Sequence, residues 1–140
     1  MALGIVGCCL LTTGLSPASA ANADESSCDY SMSTKKYSCS GSDAVRKPTD
    51  VIGARIFSEE SFQGKELTIW VPTNCPKDDR VNWHLNLSGK LKKHVGSVQG
   101  WGDCWVWLYR ADKSREGPFR SDVSDVGSSA GNEAVRVGLS

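Results

Sequence analysis

One stretch constrains the fold more than any other: Arg55-Ile56-Phe57-Ser58-Glu59-Glu60-Ser61-Phe62-Gln63-Gly64-Lys65-Glu66-Leu67-Thr68-Ile69-Trp70. Two apolar segments flank a polar bend, with an aromatic residue closing the first and a glycine opening the second. Leu67, Ile69 and Val71 alternate with Glu66, Thr68 and Trp70, the period-two pattern of a strand with one buried face. Phe57 and Phe62 are close enough to pack on one another across a tight bend. Gly64 can take a positive φ that would strain a residue with a Cβ. The stretch therefore predicts a folded β-hairpin, although an ordinary hairpin of any antiparallel domain has a similar pattern.

Ahead of it, Ala2 to Leu15 is apolar and uncharged, and Ala18-Ser19-Ala20 forms a small-x-small cleavage site, with Ala21-Asn22-Ala23 as a second choice. Residues 1–20 resemble a secretory signal peptide, except that no Lys or Arg precedes the apolar run. A membrane span needs roughly twenty apolar residues, and Pro17 with its small neighbours argues against one. Too little hydrophobic sequence precedes Cys8 for a lipidated cysteine. The expected product is secreted and free of the membrane after cleavage.

Removing that segment leaves Cys28, Cys39, Cys75 and Cys104. An even count in an oxidising compartment implies two disulfides, for which three connectivities exist. The nearest-neighbour pairing, Cys28 with Cys39 and Cys75 with Cys104, is the one we expect. The first would close a short polar loop, and each would add roughly 2–4 kcal/mol by restricting the unfolded chain. A metal site is not indicated, because there is no Cys-x-x-Cys and neither His84 nor His94 has ligand spacing.

The remaining chain of about 120 residues can bury one core. Its 16 basic and 16 acidic residues cancel, which disfavours a nucleic-acid or anionic-membrane partner. Residues 21–50, rich in Ser, Asp, Lys and Thr, read as a polar N-terminal extension pinned by the first disulfide, and residues 51–140 as the domain proper. After the Trp70 strand, Pro72, Asn74 and Pro76 mark a turn-rich loop. Trp83, Leu85 and Leu87 alternate with polar residues as a third strand, Lys90 to His94 could form a single helical turn, and Val95 to Gly100 reads as a fourth strand carrying Ser97. Trp105 to Tyr109 is a dense apolar strand, Phe119 continues the next, Val123 and Val126 supply a short one, and Val135, Val137 and Leu139 form the last.

Phe57, six residues, then Gly64, followed by Ser97, resembles the Greek-key motif of the βγ-crystallin family. In that family the aromatic packs over the folded hairpin, the glycine permits the fold, and the serine hydrogen-bonds back to it. One domain contains two such motifs. The second here would place Tyr109 where Phe57 stands and Gly117 where Gly64 stands, but with seven intervening residues. The resemblance implies an all-β sandwich of two Greek keys with a disulfide-pinned N-terminal extension. It covers about Val51 to Leu139.

Many members of the family bind calcium through an acidic or amide pair followed, two residues on, by a hydroxyl residue and a serine. Here the first motif reads Lys92-Lys93-His94-Val95-Gly96-Ser97, keeping only the serine. The second keeps Asn132-Glu133, but Arg136 and Val137 replace the hydroxyl positions. Ca²⁺ requires six to eight oxygen ligands, and lysines at a cation site repel it, so no cofactor is expected and calcium is not favoured. No Gly-x-Ser-x-Gly, His-Glu-x-x-His or phosphate-cradling glycine loop occurs, and the reading is non-enzymatic.

Trp105 and Trp107 share one face of their strand. If Val106 and Leu108 face the core, both are partly exposed and could form a recognition platform, unless they cover the extension or the second sheet. Among secreted bacterial members of this fold the implied roles are metallopeptidase inhibition and killer-toxin-like or antifungal activity. The sequence thus points to a secreted, monomeric binding protein, with peptidase inhibition ranked first. The alternatives are a structural or stress-resistance module and a cell-wall glycan binder.

Overall fold

The computed structural model describes residues 26–140, so the predicted signal segment lies outside the described residues. The described strands are β1 (Ser27–Ser31), β2 (Tyr37–Ser38), β3 (Val51–Glu59), β4 (Gln63–Val71), β5 (Trp83–Asn86), β6 (Ser97–Gly100), β7 (Val106–Tyr109), β8 (Arg115–Phe119) and β9 (Arg136–Leu139). They form two sheets, in the orders β2-β1-β4-β3-β6 and β5-β9-β7-β8.

Each half of the domain contributes an antiparallel hairpin and a later strand that pairs beside its first strand: β3 and β4 with β6, β7 and β8 with β9. The third strand of each half crosses to the opposite sheet. β5 leaves the first half and pairs with β9. Its counterpart in the second half shrinks to one antiparallel bridge between Val123 and Val98, so the predicted strand through Val123 and Val126 is a single contact. Two Greek keys that exchange their third strands make a βγ-crystallin-like sandwich, with β1 and β2 added beside β4 at the edge of the first sheet.

The alternating residues that predicted the strands meet between the sheets. Ile56, Ile69, Val71 and Val98 from one, and Val106, Leu108, Val137 and Leu139 from the other, are almost completely buried. Each contributes about 1.5–3 kcal/mol of transfer free energy. Lys90 to His94 gives one turn of 3-10 helix at Gly89–Leu91, and Leu91 enters the core.

The segment predicted as a polar extension also joins the sheet. β1 pairs in parallel with β4 from Ser27 opposite Glu66 to Ser31 opposite Trp70, and Cys28 and Met32 lie in the core. A polar sequence can do this because its buried polar groups are satisfied. The fully buried Ser31 hydroxyl donates to Asp50 at 2.7 Å, Ser33 donates to the other carboxylate oxygen at 2.6 Å, and the Lys47 amide donates at 3.0 Å. Burial alone would raise the Asp50 pKa, but these hydrogen bonds and the Lys47 charge outweigh it and hold it below its ordinary value. Both disulfides form as expected, Cys28 with Cys39 and Cys75 with Cys104.

Candidate functional site

The first hairpin folds back on itself as its sequence predicts. A 3-10 turn at Glu60–Phe62 joins β3 to β4, and the Phe57 and Phe62 rings meet edge to face at 5.6 Å. Ser61 and Phe62 both adopt positive φ, at 57° and 61°. Backbone this far from the usual basins needs support. Ser97 supplies it: its hydroxyl donates to the Glu59 carbonyl at 2.6 Å and accepts from the Phe62 amide at 2.9 Å. Gly64 has φ 80°, and a Cβ there would lie 2.2 Å from the Ser58 hydroxyl, which itself accepts from the Lys65 amide at 2.8 Å.

The second hairpin does not fold in this way. Its turn, residues 110–114, is closed by the Arg110 amide to the Ser114 carbonyl at 2.8 Å and the Lys113 amide to the Arg110 carbonyl at 3.0 Å. Gly117 does take a positive φ, 129°, ahead of a cis Pro118. Tyr109 packs on His84 of β5 at 5.4 Å, where Phe57 packs within its own hairpin.

Backbone pairing also corrects the predicted alignment of the two motifs. The Gly96 amide donates to Phe57, and the Val135 amide donates to Tyr109, both to the carbonyl of the motif aromatic. Ser97 stands opposite Phe57, and Arg136 stands opposite Tyr109. The counterpart of the stapling serine is therefore Arg136, not Val137, which is buried in the core. The β7–β9 register runs unbroken from Val106 opposite Leu139 to Tyr109 opposite Arg136, and the irregularity of this half lies between β7 and β8, at Val106/Leu108.

A cleft of about 500 Å³ lies between the folded hairpin and the loop before β9, lined by Glu59, Glu60, His94, Gly96, Asp125 and Asn132 among others. This is where the family's calcium pattern falls, and the donors do not fit it. Gly96 occupies a hydroxyl position, yet a Cβ there would lie 2.1 Å from the Glu59 carbonyl carbon, so the hairpin admits no side chain. The Ser97 hydroxyl is already committed to the hairpin backbone. Glu133 is exposed and does not line the cleft. Among the described residues no three His, Cys, Asp or Glu side chains are grouped to hold a metal ion.

The tryptophans behave differently from the predicted pair. Trp107 is buried, its indole N–H donates to the Ser140 hydroxyl at 2.9 Å, and the Arg115 guanidinium lies 3.8 Å from its ring centroid. Trp105 precedes β7, is half-buried, and lies under Arg120 at 4.5 Å. Arginines on the neighbouring strand and loop cover this face, so the two rings do not form an open platform. Trp101, beside Arg55 at 5.2 Å, is the exposed tryptophan of the described chain.

The turn-rich loop after β4 is exposed: from Pro72 to Arg80 every residue except Cys75 reaches solvent. Cys75 is buried, bonded to Cys104, and its amide donates to Gly102 at 2.9 Å. Lys77, at φ 58°, pairs with Asp103 at 3.1 Å, and Arg115 donates to the Asp79 carbonyl at 3.2 Å. The loop containing Pro72, Asn74 and Pro76 is thus tied to the domain at Cys75, Lys77 and Asp79.

No protein-family model matches the chain, and no curated protein matches it. The solved structures similar to it include the βγ-crystallin domain of Abundant Perithecial Protein from Neurospora crassa in its Ca²⁺-bound form. That match has 14% identity and a TM-score of 0.46, covering 67% of this chain and 93% of that one. The structure of Abundant Perithecial Protein itself matches with 15% identity and a TM-score of 0.41, covering 67% of this chain and 40% of that one. At these scores the fold assignment rests on the chain's own strand exchange and on the Phe57, Phe62 and Ser97 geometry.

Proposed function

We propose that the chain is a secreted, non-enzymatic binding protein that inhibits an extracellular peptidase through the loop Pro72–Arg80. The observation that carries this reading is the anchoring of that loop. A disulfide, a backbone hydrogen bond, an ion pair and an arginine contact hold an otherwise exposed segment. A loop ordered before binding loses little conformational entropy on association, which is what a small inhibitor requires. It also carries Asp78, Asp79 and Arg80, so both signs of charge are available for recognition. Two disulfides within the described chain accord with an oxidising compartment.

Calcium plays no part in this reading. The structural-module alternative assigns the same disulfides to durability alone. The glycan-binding alternative loses its main support, because Trp107 is buried and Trp105 lies under Arg120. The test is to replace Pro76–Arg80 with a Gly/Ser segment of equal length and measure inhibition against a sensitive secreted peptidase. The proposal predicts loss of inhibition with an unchanged circular dichroism spectrum. Retained inhibition in that variant, or loss only on Trp105→Ala, would reject the loop.

A further inference from the structure

The two halves of the domain have the same architecture, but the clefts at their hairpins differ in charge. The first is lined by Glu59, Glu60 and Asp125. The second, about 290 Å³, is lined by Asn86, Tyr109, Arg110, Lys113, Val135 and Arg136, with Ala111 at its edge. It contains three cationic side chains and no carboxylate.

The reversal follows from the register. In the first half the residue opposite the aromatic is a buried serine spent on stapling the hairpin. In the second half the turn is closed by backbone bonds between Arg110 and Ser114 and between Lys113 and Arg110, and the residue in the serine's place, Arg136, is exposed at the cleft. Its Nε donates to Asn86 Oδ1 at 2.9 Å, which orients the guanidinium, and its two terminal nitrogens have no partner among the described residues. Lys113, on the turn, has no ion-pair partner among the described residues either. Arg110 is different, because Glu116 neutralises it and Ser129 and Ser114 take its other donors. Asp112 on the turn keeps its negative charge, its Oδ1 accepting from the Ser114 amide and hydroxyl, and it lies outside the lining of the cleft.

We infer that this cleft is an oxyanion-binding site, in which Arg136 and Lys113 hold a phosphate, sulfate or carboxylate group and Arg110 shapes the wall. A guanidinium fixed through Nε still presents two parallel N–H donors, the geometry that matches an oxyanion in bidentate fashion. Lys113, which lines the same cleft, adds a point charge. The inference is independent of the peptidase reading, because the cleft and the Pro72–Arg80 loop share no residue.

The experiment is a nuclear magnetic resonance titration of the folded chain with inorganic phosphate and, separately, acetate, at constant ionic strength, following arginine Nε–Hε and backbone amide signals. Saturable shifts at Arg136 and Lys113 are expected. Arg136→Gln should weaken binding at least tenfold and Lys113→Gln several-fold, whereas Arg120→Gln leaves it unchanged. Lys113 is on an exposed turn, so its variant reports even if Arg136→Gln is poorly folded. Saturation with phosphate alone assigns a phosphoryl or sulfuryl ligand, and equal saturation with acetate assigns a carboxylate. Linear shifts spread over Arg46 and Arg120 as well, or equal affinity in wild type and Lys113→Gln, would overturn the site.

Discussion

Ser97→Ala removes one oxygen and tests the hairpin directly. Ser97 is completely buried, and its hydroxyl serves the Glu59 carbonyl at 2.6 Å and the Phe62 amide at 2.9 Å. The substitution orphans one acceptor and one donor, each costing about 1–3 kcal/mol if it stays dry. The outer side of the turn reaches water, which places the total near the lower part of the sum, about 2–4 kcal/mol. With a urea m-value of about 2 kcal/mol/M the unfolding midpoint should fall by roughly 1–2 M. Ser58→Ala is the control, because the Ser58 hydroxyl accepts one partly buried bond from the Lys65 amide and its loss should cost about 1 kcal/mol or less. Urea unfolding followed by tryptophan fluorescence measures both. A Ser97→Ala loss below about 0.5 kcal/mol, or smaller than that of Ser58→Ala, would refute the claim that this serine holds the left-handed turn.

Three further outcomes follow from the same structure. Trp107→Phe should lower stability by about 1–2 kcal/mol, through loss of the Ser140 hydrogen bond and the Arg115 stack, read from thermal unfolding. The Asp50 carboxyl is held below its ordinary 3.8, so its contribution is present above that value and is lost as pH falls through the lower folded-state pKa. Asp50→Asn should therefore lower stability at neutral pH and flatten the acid limb of the stability curve. His84 is held below its ordinary 6.5 first by burial and then by Arg136, so folding loses stability as pH drops through 6.5 and His84 protonates more readily in the unfolded chain. Arg136→Gln should raise the His84 titration midpoint in proton NMR, and an unmoved midpoint would contradict the proximity of the two groups.

Much of the first motif was legible because its signals are local. Phe57, Phe62, Gly64 and the alternation after it lie within one short stretch, and Ser97 is the motif residue that comes from far along the chain. The second motif was harder to read for a physical reason. Tyr109 and Gly117 are present, but the surplus residue changes the turn, and which residue stands opposite Tyr109, Arg136 and not Val137, is decided by the pairing of β7 with β9, which the spacing of the motif does not give. β1 was hidden because its alternation, Cys28, Tyr30 and Met32 against Ser27, Asp29 and Ser31, is short and lies in a stretch otherwise rich in Ser, Asp, Lys and Thr. Its burial depends on a disulfide and on Asp50, a residue 19 positions from Ser31. The burial of Trp107 likewise depends on Arg115 and Ser140, which lie on other segments. The loop Pro72–Arg80 was legible as a loop, but its anchors at Asp103, Gly102 and Arg115 are properties of the folded chain.

The most direct measurement is a titration of the purified, disulfide-intact chain against a panel of secreted metallo- and serine peptidases, run in parallel with calcium and with chelator. The account predicts stoichiometric inhibition of at least one peptidase, equal in both conditions. Absence of inhibition across the panel would contradict it and leave a structural role as the better explanation of the same disulfide-anchored fold.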